Sequence, residues 1–170
     1  MKPMFTDTEH HWAAPFISLL AGLDVIQGYE DGSFRPDHTV TRAEFAAMLV
    51  RLFPFPEADP QASSVSFTDT QDHWARQTIE RLAQLGLLSG YPDGTFKPDA
   101  AMTREEMVYV IMKPLNADEL PETENSGFTD MDQTTTYART AVEAAAKVGI
   151  VSGYPDQTFR PKGTSRERKR

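Results

Sequence analysis

The apolar residues of the chain recur at three- and four-residue steps in five stretches, a period that predicts five amphipathic helices. In the first stretch one face carries Trp12, Phe16, Leu19, Leu20 and Leu23, and we expect that face to pack in the core. The other four faces comprise Phe45, Met48, Leu49 and Leu52; Trp74, Ile79, Leu82, Leu85 and Leu88; Met107, Val110 and Ile111; and Tyr137, Ala141, Val142, Ala145 and Val148. The pattern therefore predicts an all-α fold.

The predicted helices alternate with a turn-rich loop that occurs three times. The loop reads GYEDGSFRP from Gly28, GYPDGTFKP from Gly90 and GYPDQTFRP from Gly153, and each copy follows a Phe-Thr-Asp triplet at a nearly constant distance. Self-similarity of this kind indicates a repeat architecture. We predict three helix-loop-helix repeats that pack on one another, because a single unit is too small to bury its own apolar face.

The repeat boundaries follow from these matches. Repeat 1 covers 1–53 and repeat 2 covers 67–113, with spacers rich in Pro, Ser, Glu and Asp at 54–66 and 114–127. Repeat 3 covers 128–170 and is incomplete, because only a short charged tail follows its loop. We therefore expect the second helix of repeat 3 to be missing.

The two complete repeats carry a specific signal for the start of the second helix. Thr41 with Glu44, and Thr103 with Glu106, fit the capping box, in which the Thr and Glu side chains satisfy two helix-terminal amides. In repeat 3 the corresponding run is Ser-Arg-Glu-Arg, with Arg168 at the Glu position. These four Thr and Glu residues are therefore expected to be structural caps.

The first helices have weaker boundary signals. We expect them to end near Gly22, Gly86 and Gly149, because glycine accepts the left-handed conformation that often closes a helix. Pro15 should lie in a first turn, where a missing amide hydrogen costs little. Asp72 is the expected N-cap of the first helix in repeat 2.

Composition and charge exclude several classes of function. The 170 residues include no cysteine, which rules out disulfides and zinc-thiolate sites. The net charge of -8 argues against general binding to nucleic acids or anionic membranes. No apolar run is long enough to span a bilayer, and the N-terminal residues lack the apolar region of a signal peptide. We accordingly predict no nucleic-acid partner and no membrane span.

The sequence offers little for catalysis. The acidic residues recur in every unit as loop and cap residues, whereas a glycoside hydrolase needs two inequivalent carboxylates across one bond. The four histidines form no recognisable triad; they are His10, His11, His38 and His73. We predict neither an enzyme nor a bound cofactor.

Calcium binding is a less favoured alternative. Hard cations bind clustered oxygens, and four loop aspartates invite this interpretation: Asp31, Asp37, Asp93 and Asp99. However, the EF-hand spacing is absent, and Phe and Pro occupy intervening positions. We therefore predict no metal site.

Taken in order, the motifs F-T-D, H-W-A, G-Y-x-D-G-x-F-x-P and T-R-A-E resemble the S-layer homology module, which usually occurs as three tandem copies. The resemblance implies a pseudo-threefold helical domain with grooves between its units. It also implies an extracellular role at the cell surface: non-covalent anchoring to the bacterial cell wall. The implied ligand is a secondary cell-wall polysaccharide, often pyruvylated, next to peptidoglycan. Self-association within a surface layer, through the incomplete third repeat, is the alternative.

An anionic ligand also follows from the residues themselves. Arg42 and Arg104 are predicted in the first turn of a helix, where backbone amides and the helix dipole favour an anion. A guanidinium there can bind a carboxylate in a bidentate manner. The resemblance makes the Arg of T-R-A-E a ligand contact, which carries to these two residues and to Arg166 in the altered third copy. The alternative for Arg42 is an ion pair with Asp31 or Asp7.

The remaining candidate ligand-binding residues lie in the same motifs. Trp12 and Trp74 are candidates for stacking on a sugar, although residues that begin amphipathic helices are often core. Gly28 and Gly90 would permit close approach of a ligand to the backbone. Asp31 and Asp93 of the loops complete the expected set.

Overall fold

The computed structural model describes residues 5–57, 59, 61, 64–115 and 126–164. It contains five α-helices: α1 (Ala14–Gly22), α2 (Arg42–Leu52), α3 (Arg76–Gln84), α4 (Arg104–Met112) and α5 (Thr136–Lys147). A 3₁₀ turn, Met131–Gln133, precedes α5. Within the described ranges, a single β-bridge between Thr41 and Ala101 is the only strand-like pairing. The predicted all-α fold of helix-loop-helix repeats is confirmed.

The Phe-Thr-Asp triplet fixes the loop of its own repeat. Both carboxylate oxygens of Asp7 accept hydrogen bonds from the amides of Phe34 and Arg35, at 2.8 and 2.7 Å. Asp69 and Asp130 accept the equivalent pairs in repeats 2 and 3. These bonds hold Arg35 at a φ of 58°, a left-handed conformation that its counterparts share. The aspartate of each Phe-Thr-Asp triplet therefore binds backbone amides of its own loop.

Each second helix begins against the loop of the next repeat. The amides of Arg42 and Ala43 donate to the carbonyls of Ala100 and Pro98, both at 2.9 Å. The start of α4 repeats this arrangement, because Arg104 and Glu105 donate to Gly163 and Pro161. As a result, α2 packs on α3 and α4 packs on α5. Trp12 of repeat 1 and Thr164 of repeat 3 line the same cavity. Repeats 1 and 3 are therefore also neighbours, and the three repeats form a ring.

The prediction of which face of α1 packs in the core is wrong. Its inner side buries Ile17 and Ala21, whereas Trp12, Phe16 and other large residues of the predicted face are exposed. Helix α1 is apolar on all sides, so periodicity cannot distinguish its buried face. For α3 the predicted buried face is largely confirmed, since Ile79 and Leu82 are fully buried. In α5 the buried residues are mostly alanines, and Tyr137 and Val148 at its two ends are exposed.

The boundaries of the first helices were predicted only in part. Pro15 lies in the first turn of α1, as expected. Gly22 is still helical, and the left-handed residue that follows α1 is Asp24, at a φ of 56°. Gly86 and Gly149 do adopt that conformation after α3 and α5. Asp72 is not the N-cap of α3, which begins after Ala75 without a side-chain cap.

Both predicted capping boxes form. The Thr41 hydroxyl accepts from the amide of Glu44, whose carboxylate accepts from the Thr41 amide, and Thr103 and Glu106 do the same. The first predicted linker is partly structural, because Phe55 packs on the core of repeats 1 and 2. The missing second helix of repeat 3 falls on 165–170, outside the described residues, and the domain boundaries stay predictions.

Candidate ligand-binding grooves

Three grooves lie around the ring, and each is built from more than one repeat. The Gly-Tyr pair of one repeat forms the floor. One wall is an aromatic residue of the next repeat, a Trp just before the first helix or Tyr137 in the first turn of α5. We number each groove by the repeat that supplies the Gly-Tyr pair. Their volumes are about 290, 280 and 500 Å³ for grooves 1, 2 and 3.

Groove 2 brings together the predicted residues Arg42, Gly90 and Glu106. Arg42 comes from the preceding repeat, so it meets the second Gly-Tyr pair rather than the first. Its Nε donates to the Phe96 carbonyl at 2.9 Å, and its Nη2 donates to the Ser89 carbonyl at 2.8 Å. Arg42 is only 8% exposed. The alternative ion pair of Arg42 with Asp31 or Asp7 is therefore wrong.

The mechanism expected at the start of α2 also needs correction. The amides of Arg42 and Ala43 already donate to loop carbonyls, and the amide of Glu44 donates to the Thr41 hydroxyl. These first-turn amides therefore bind the protein itself rather than present an anion site. The remaining guanidinium nitrogen of Arg42, Nη1, lies 3.9 Å from the carboxylate of Glu106. At the start of α2, the side chain of Arg42 is what remains to contribute positive charge to groove 2.

Sequence reasoning missed Lys113, Tyr91 and Tyr109, which also line groove 2. The Lys113 ammonium donates to the carbonyls of Gly86 and Leu87 and lies 4.7 Å from the centre of the Tyr109 ring. Burial lowers the pKa of Lys113. A repeat comparison could have found this position, because Arg51 occupies it in repeat 1.

Aromatic side chains form the outer wall of groove 2. Tyr109 and Tyr137 make an edge-to-face pair with ring centres 4.9 Å apart. Burial, followed by the nearby carboxylates of Glu105 and Glu106, raises the pKa of Tyr137 to about 12. Tyr91 lies between two cations, with Lys97 4.1 Å and Arg42 5.3 Å from its ring centre.

Groove 1 contains the predicted residues Gly28, Glu44 and Trp74. It also contains Tyr29 and Arg51, the counterparts of Tyr91 and Lys113 in groove 2. Trp74 is exposed, so its interpretation as a core residue is wrong. The predicted ligand residue Arg166, which corresponds to Arg42 and Arg104 in the sequence of repeat 3, lies outside the described residues.

Groove 3 combines the predicted residues Trp12 and Arg104 with Gly153 and Tyr154. Arg104 Nε donates to the Phe159 carbonyl at 2.9 Å, as Arg42 does to Phe96. Trp12 is 56% exposed, so it too is not a core residue. The volume of groove 3, about 500 Å³, is the largest of these three grooves.

Asp31 and Asp93, the two aspartates predicted to bind the ligand, line none of these three grooves. Asp31 accepts from the amide and hydroxyl of Ser33 and pairs with Arg35, and these bonds lower its pKa to about 2. Asp93 accepts from the amide and hydroxyl of Thr95, which lowers its pKa. Both side chains therefore shape their own loop.

The glycines of the Gly-Tyr pairs are required by packing. A Cβ at Gly28 would lie 2.3 Å from the Phe5 ring, and a Cβ at Gly90 would lie 2.3 Å from the Phe67 ring. Each glycine thus lets the Phe of its own Phe-Thr-Asp triplet approach the loop. In the part of the chain that the structure describes, no three His, Asp or Glu side chains are arranged to hold a metal ion.

A family model decides the classification. The model of the S-layer homology domain matches residues 5–46, 66–108 and 127–164. The chain belongs to this family. The three matches coincide with the three repeats seen in the sequence and the structure, and the family is one of non-catalytic cell-wall anchoring modules.

Similar proteins carry S-layer homology repeats as a small part of a longer chain. The amylopullulanase of Thermoanaerobacterium thermosulfurigenes is 35% identical over 95% of this chain and 9% of its own length. The cellulosome-anchoring protein of Acetivibrio thermocellus is 36% identical over 82% of this chain and 32% of its own length. The S-layer protein of Bacillus licheniformis is 27% identical over 69% of this chain and 14% of its own length. This S-layer homology chain therefore spans less than a third of each of these relatives.

None of the helices described for this S-layer homology chain is long and apolar enough to cross a membrane.

Proposed function

We propose that this S-layer homology chain anchors to the bacterial cell wall from outside the cell by binding an anionic wall polysaccharide in groove 2. The observation that carries the proposal is the local charge of that groove. Arg42 and Lys113 face a single carboxylate, Glu106, in a chain whose net charge is -8. Such a local excess of positive charge favours an acidic sugar over a neutral one.

The shape and lining of groove 2 fit a sugar. Its volume of about 280 Å³ lies near the lower end of the range for small-ligand pockets. Three tyrosines, Tyr91, Tyr109 and Tyr137, supply flat apolar faces together with hydroxyl groups. Aromatic rings of this kind pack against the C–H face of a sugar while the hydroxyls bind its polar edge. A pyruvylated end group would add the carboxylate for Lys113 and Arg42.

The first experiment removes one charge from the groove without removing a buried bond network. Arg42 is unsuitable, because it binds the carbonyls of Phe96 and Ser89 at a buried position, and its loss would leave them unpaired. Lys113 also binds two carbonyls, but at a more exposed position where water can replace its ammonium. We therefore choose Lys113→Met, with Lys147→Met as the matched control, because Lys147 is exposed at the end of α5. Purified wall polysaccharide, intact and depyruvylated, is titrated into each protein by calorimetry.

We expect Lys113→Met to weaken binding of the intact polysaccharide about tenfold, a loss of about 1.4 kcal/mol. Lys147→Met should bind like the wild type, and depyruvylation should weaken the wild type but add little to Lys113→Met. Equal affinities for the three proteins, with unfolding midpoints unchanged, would refute the proposed site. If depyruvylation leaves the affinity of the wild type unchanged, the pyruvylated ligand is refuted but the proposed site is not.

Self-association is the competing function. The feature that favours it is the exposed apolar side of α1, which lies on repeat 1 rather than on the incomplete third repeat. Light scattering at rising concentration separates the two functions. A monomer that still binds wall polysaccharide supports the anchoring function.

A further inference from the structure

The turn-rich loop carries a basic residue at the same position in each repeat. This residue stands between the Phe and the Pro of the motif: Arg35, Lys97 and Arg160. All three adopt the left-handed backbone conformation, at φ values of 58, 57 and 58°. Glycine and asparagine accept this conformation most readily. A long basic side chain at this position must therefore make a contact that offsets the conformational cost.

The basic side chain of each loop contacts the Tyr of the Gly-Tyr pair in the same repeat. Its charged group lies 4.0 Å from the ring centre in repeat 1, 4.1 Å in repeat 2 and 4.0 Å in repeat 3. The three pairs are Arg35 with Tyr29, Lys97 with Tyr91, and Arg160 with Tyr154. A cation at this distance is attracted by the electrons of the ring face. The contact is therefore a regular feature of the repeat and accounts for the cation in the loop.

In repeat 2, the main chain of both partners is fixed independently of this contact. The carboxylate of Asp69 accepts hydrogen bonds from the amides of Phe96 and Lys97, each at 2.8 Å. The amide of Tyr91 donates to the carbonyl of Thr95, also at 2.8 Å. The direction of the two side chains remains to be set, and their mutual contact sets it for the Tyr91 ring.

An aspartate of the same loop holds the cation in repeats 1 and 3. Nη2 of Arg35 donates to Asp31 at 3.0 Å, and repeat 3 has the same bond. In repeat 2, hydrogen bonds from Thr95 and, to a smaller extent, the charge of Lys97 lower the pKa of Asp93. Exchanging Lys97 for arginine would therefore keep a cation on the ring and give repeat 2 the arrangement of its neighbours.

We propose that Lys97 is a positioning residue for groove 2: it holds the Tyr91 ring in the orientation that meets the sugar, without contacting the glycan itself. The proposal rests on the function proposed above for groove 2. Tyr91 is 36% exposed and lines that groove, whereas Lys97 is not among the described residues that line it. A side chain already held in its binding orientation loses less conformational freedom on binding. The cation therefore raises the affinity through the ring.

Direct attraction between Lys97 and an anionic glycan is the competing explanation. It predicts that the contribution of Lys97 disappears when the carboxylate of the ligand is removed, as we expect for Lys113. Positioning of the Tyr91 ring predicts the same contribution with and without that carboxylate, because the ring contacts the C–H face of the sugar in either case. It also predicts that Lys97 contributes nothing once the ring is absent.

The test uses the full chain and purified wall polysaccharide, intact and depyruvylated, titrated by calorimetry. Lys97→Met keeps an unbranched side chain but removes the charge, and Lys97→Arg installs the cation of repeats 1 and 3. Tyr91→Leu is measured alone and combined with Lys97→Met. The control is Lys147→Met, which removes an exposed charge at the end of α5. Unfolding midpoints well above the temperature of the titration show that each variant is folded.

We expect Lys97→Met to weaken binding about fivefold, for the intact and the depyruvylated polysaccharide alike. Lys97→Arg and Lys147→Met should bind like the wild type. When Tyr91 has already been replaced by leucine, Lys97→Met should weaken binding no further.

Three results would overturn the role of Lys97 while leaving groove 2 as the site. They are wild-type affinity of Lys97→Met, a loss confined to the intact polysaccharide, and a further loss when Lys97→Met is added to Tyr91→Leu. Wild-type affinity of Tyr91→Leu has a different meaning, because it would exclude the ring that Lys97 is proposed to position. That result would refute the proposed function of groove 2 together with the role of Lys97.

Discussion

Grooves 2 and 3 share one design but differ in completeness. Each has a Gly-Tyr floor and an Arg from the preceding repeat bound to a Phe carbonyl. Groove 2 also has Glu106 and Lys113 from the second helix of its own repeat. In groove 3 the corresponding residues would lie beyond the described part of repeat 3, and its volume is about 500 rather than 280 Å³. Groove 2 thus takes side chains from all three repeats, because Arg42 comes from repeat 1, Lys113 from repeat 2 and Tyr137 from repeat 3.

The comparison also separates residues that hold the ring from residues that face the groove. Arg42 and Arg104 use their Nε atoms to bind the next loop in both grooves, so they join neighbouring repeats. Lys113 and Tyr109 distinguish groove 2 from groove 3, whereas the tyrosine of the Gly-Tyr pair lines both. We therefore expect substitutions of the two arginines to affect stability, and substitutions of side chains that face groove 2 to affect binding.

The largest expected effect concerns the floor glycines. A Cβ at Gly90 would lie 2.3 Å from the Phe67 ring and 2.7 Å from the Thr95 carbonyl, whereas the same distances at Gly153 are 2.6 and 3.1 Å. We expect Gly90→Ala to lower the free energy of unfolding by about 3 kcal/mol and Gly153→Ala by about 1 kcal/mol. Urea denaturation of the two variants measures the difference. A larger loss for Gly153→Ala would contradict this view of the floor.

The sequence predicted the local parts of this molecule well. The three repeats and the capping boxes at Thr41 and Thr103 depend on residues within one unit. The burial of α1 was predicted wrongly, because its apolar residues surround the helix and their spacing does not show which side is exposed. The left-handed Asp24 was also missed, since Gly22 gives a stronger signal two residues earlier.

The grooves could be predicted only in part, because they form between repeats. The sequence identified Arg42, Gly90, Glu106 and Trp74 as candidates, but their local spacing suggested that Arg42 belongs with its own loop. The packing of repeat 1 on repeat 2 places Arg42 instead against the loop of repeat 2. The sequence marks Lys113 only indirectly, because another basic residue, Arg51, occupies the same position in repeat 1.

A smaller effect is expected at the interface between repeats 2 and 3. Glu105 is buried there and accepts from Lys162 and from the amide and hydroxyl of Thr135. Burial alone would raise the pKa of Glu105, but these bonds outweigh burial and lower it from 4.5. The charged carboxylate therefore stabilises the fold above pH 4.5, and this contribution is lost as the pH falls through the lowered pKa.

The interface between repeats 1 and 2 has Ala43 at that position, so it lacks this pH dependence. We expect Glu105→Gln to destabilise the chain by about 1–2 kcal/mol at pH 7 and to lie closer to the wild type at pH 3 than at pH 7. Unfolding midpoints at both pH values check this expectation. A loss of the same size at pH 3 would show that the charge of Glu105 is not the cause.

The central claim, that groove 2 binds the glycan because it is complete, is tested most directly by one matched pair of variants. Tyr91 and Tyr154 occupy the same position in grooves 2 and 3, and each lies near a loop cation and the Arg of the preceding repeat. Affinity for purified wall polysaccharide is measured by calorimetry for Tyr91→Leu and Tyr154→Leu. We predict about tenfold weaker binding for Tyr91→Leu, since an aromatic contact is worth about 1 kcal/mol or more, and wild-type affinity for Tyr154→Leu. The reverse order, or equal losses in both variants, would contradict the claim.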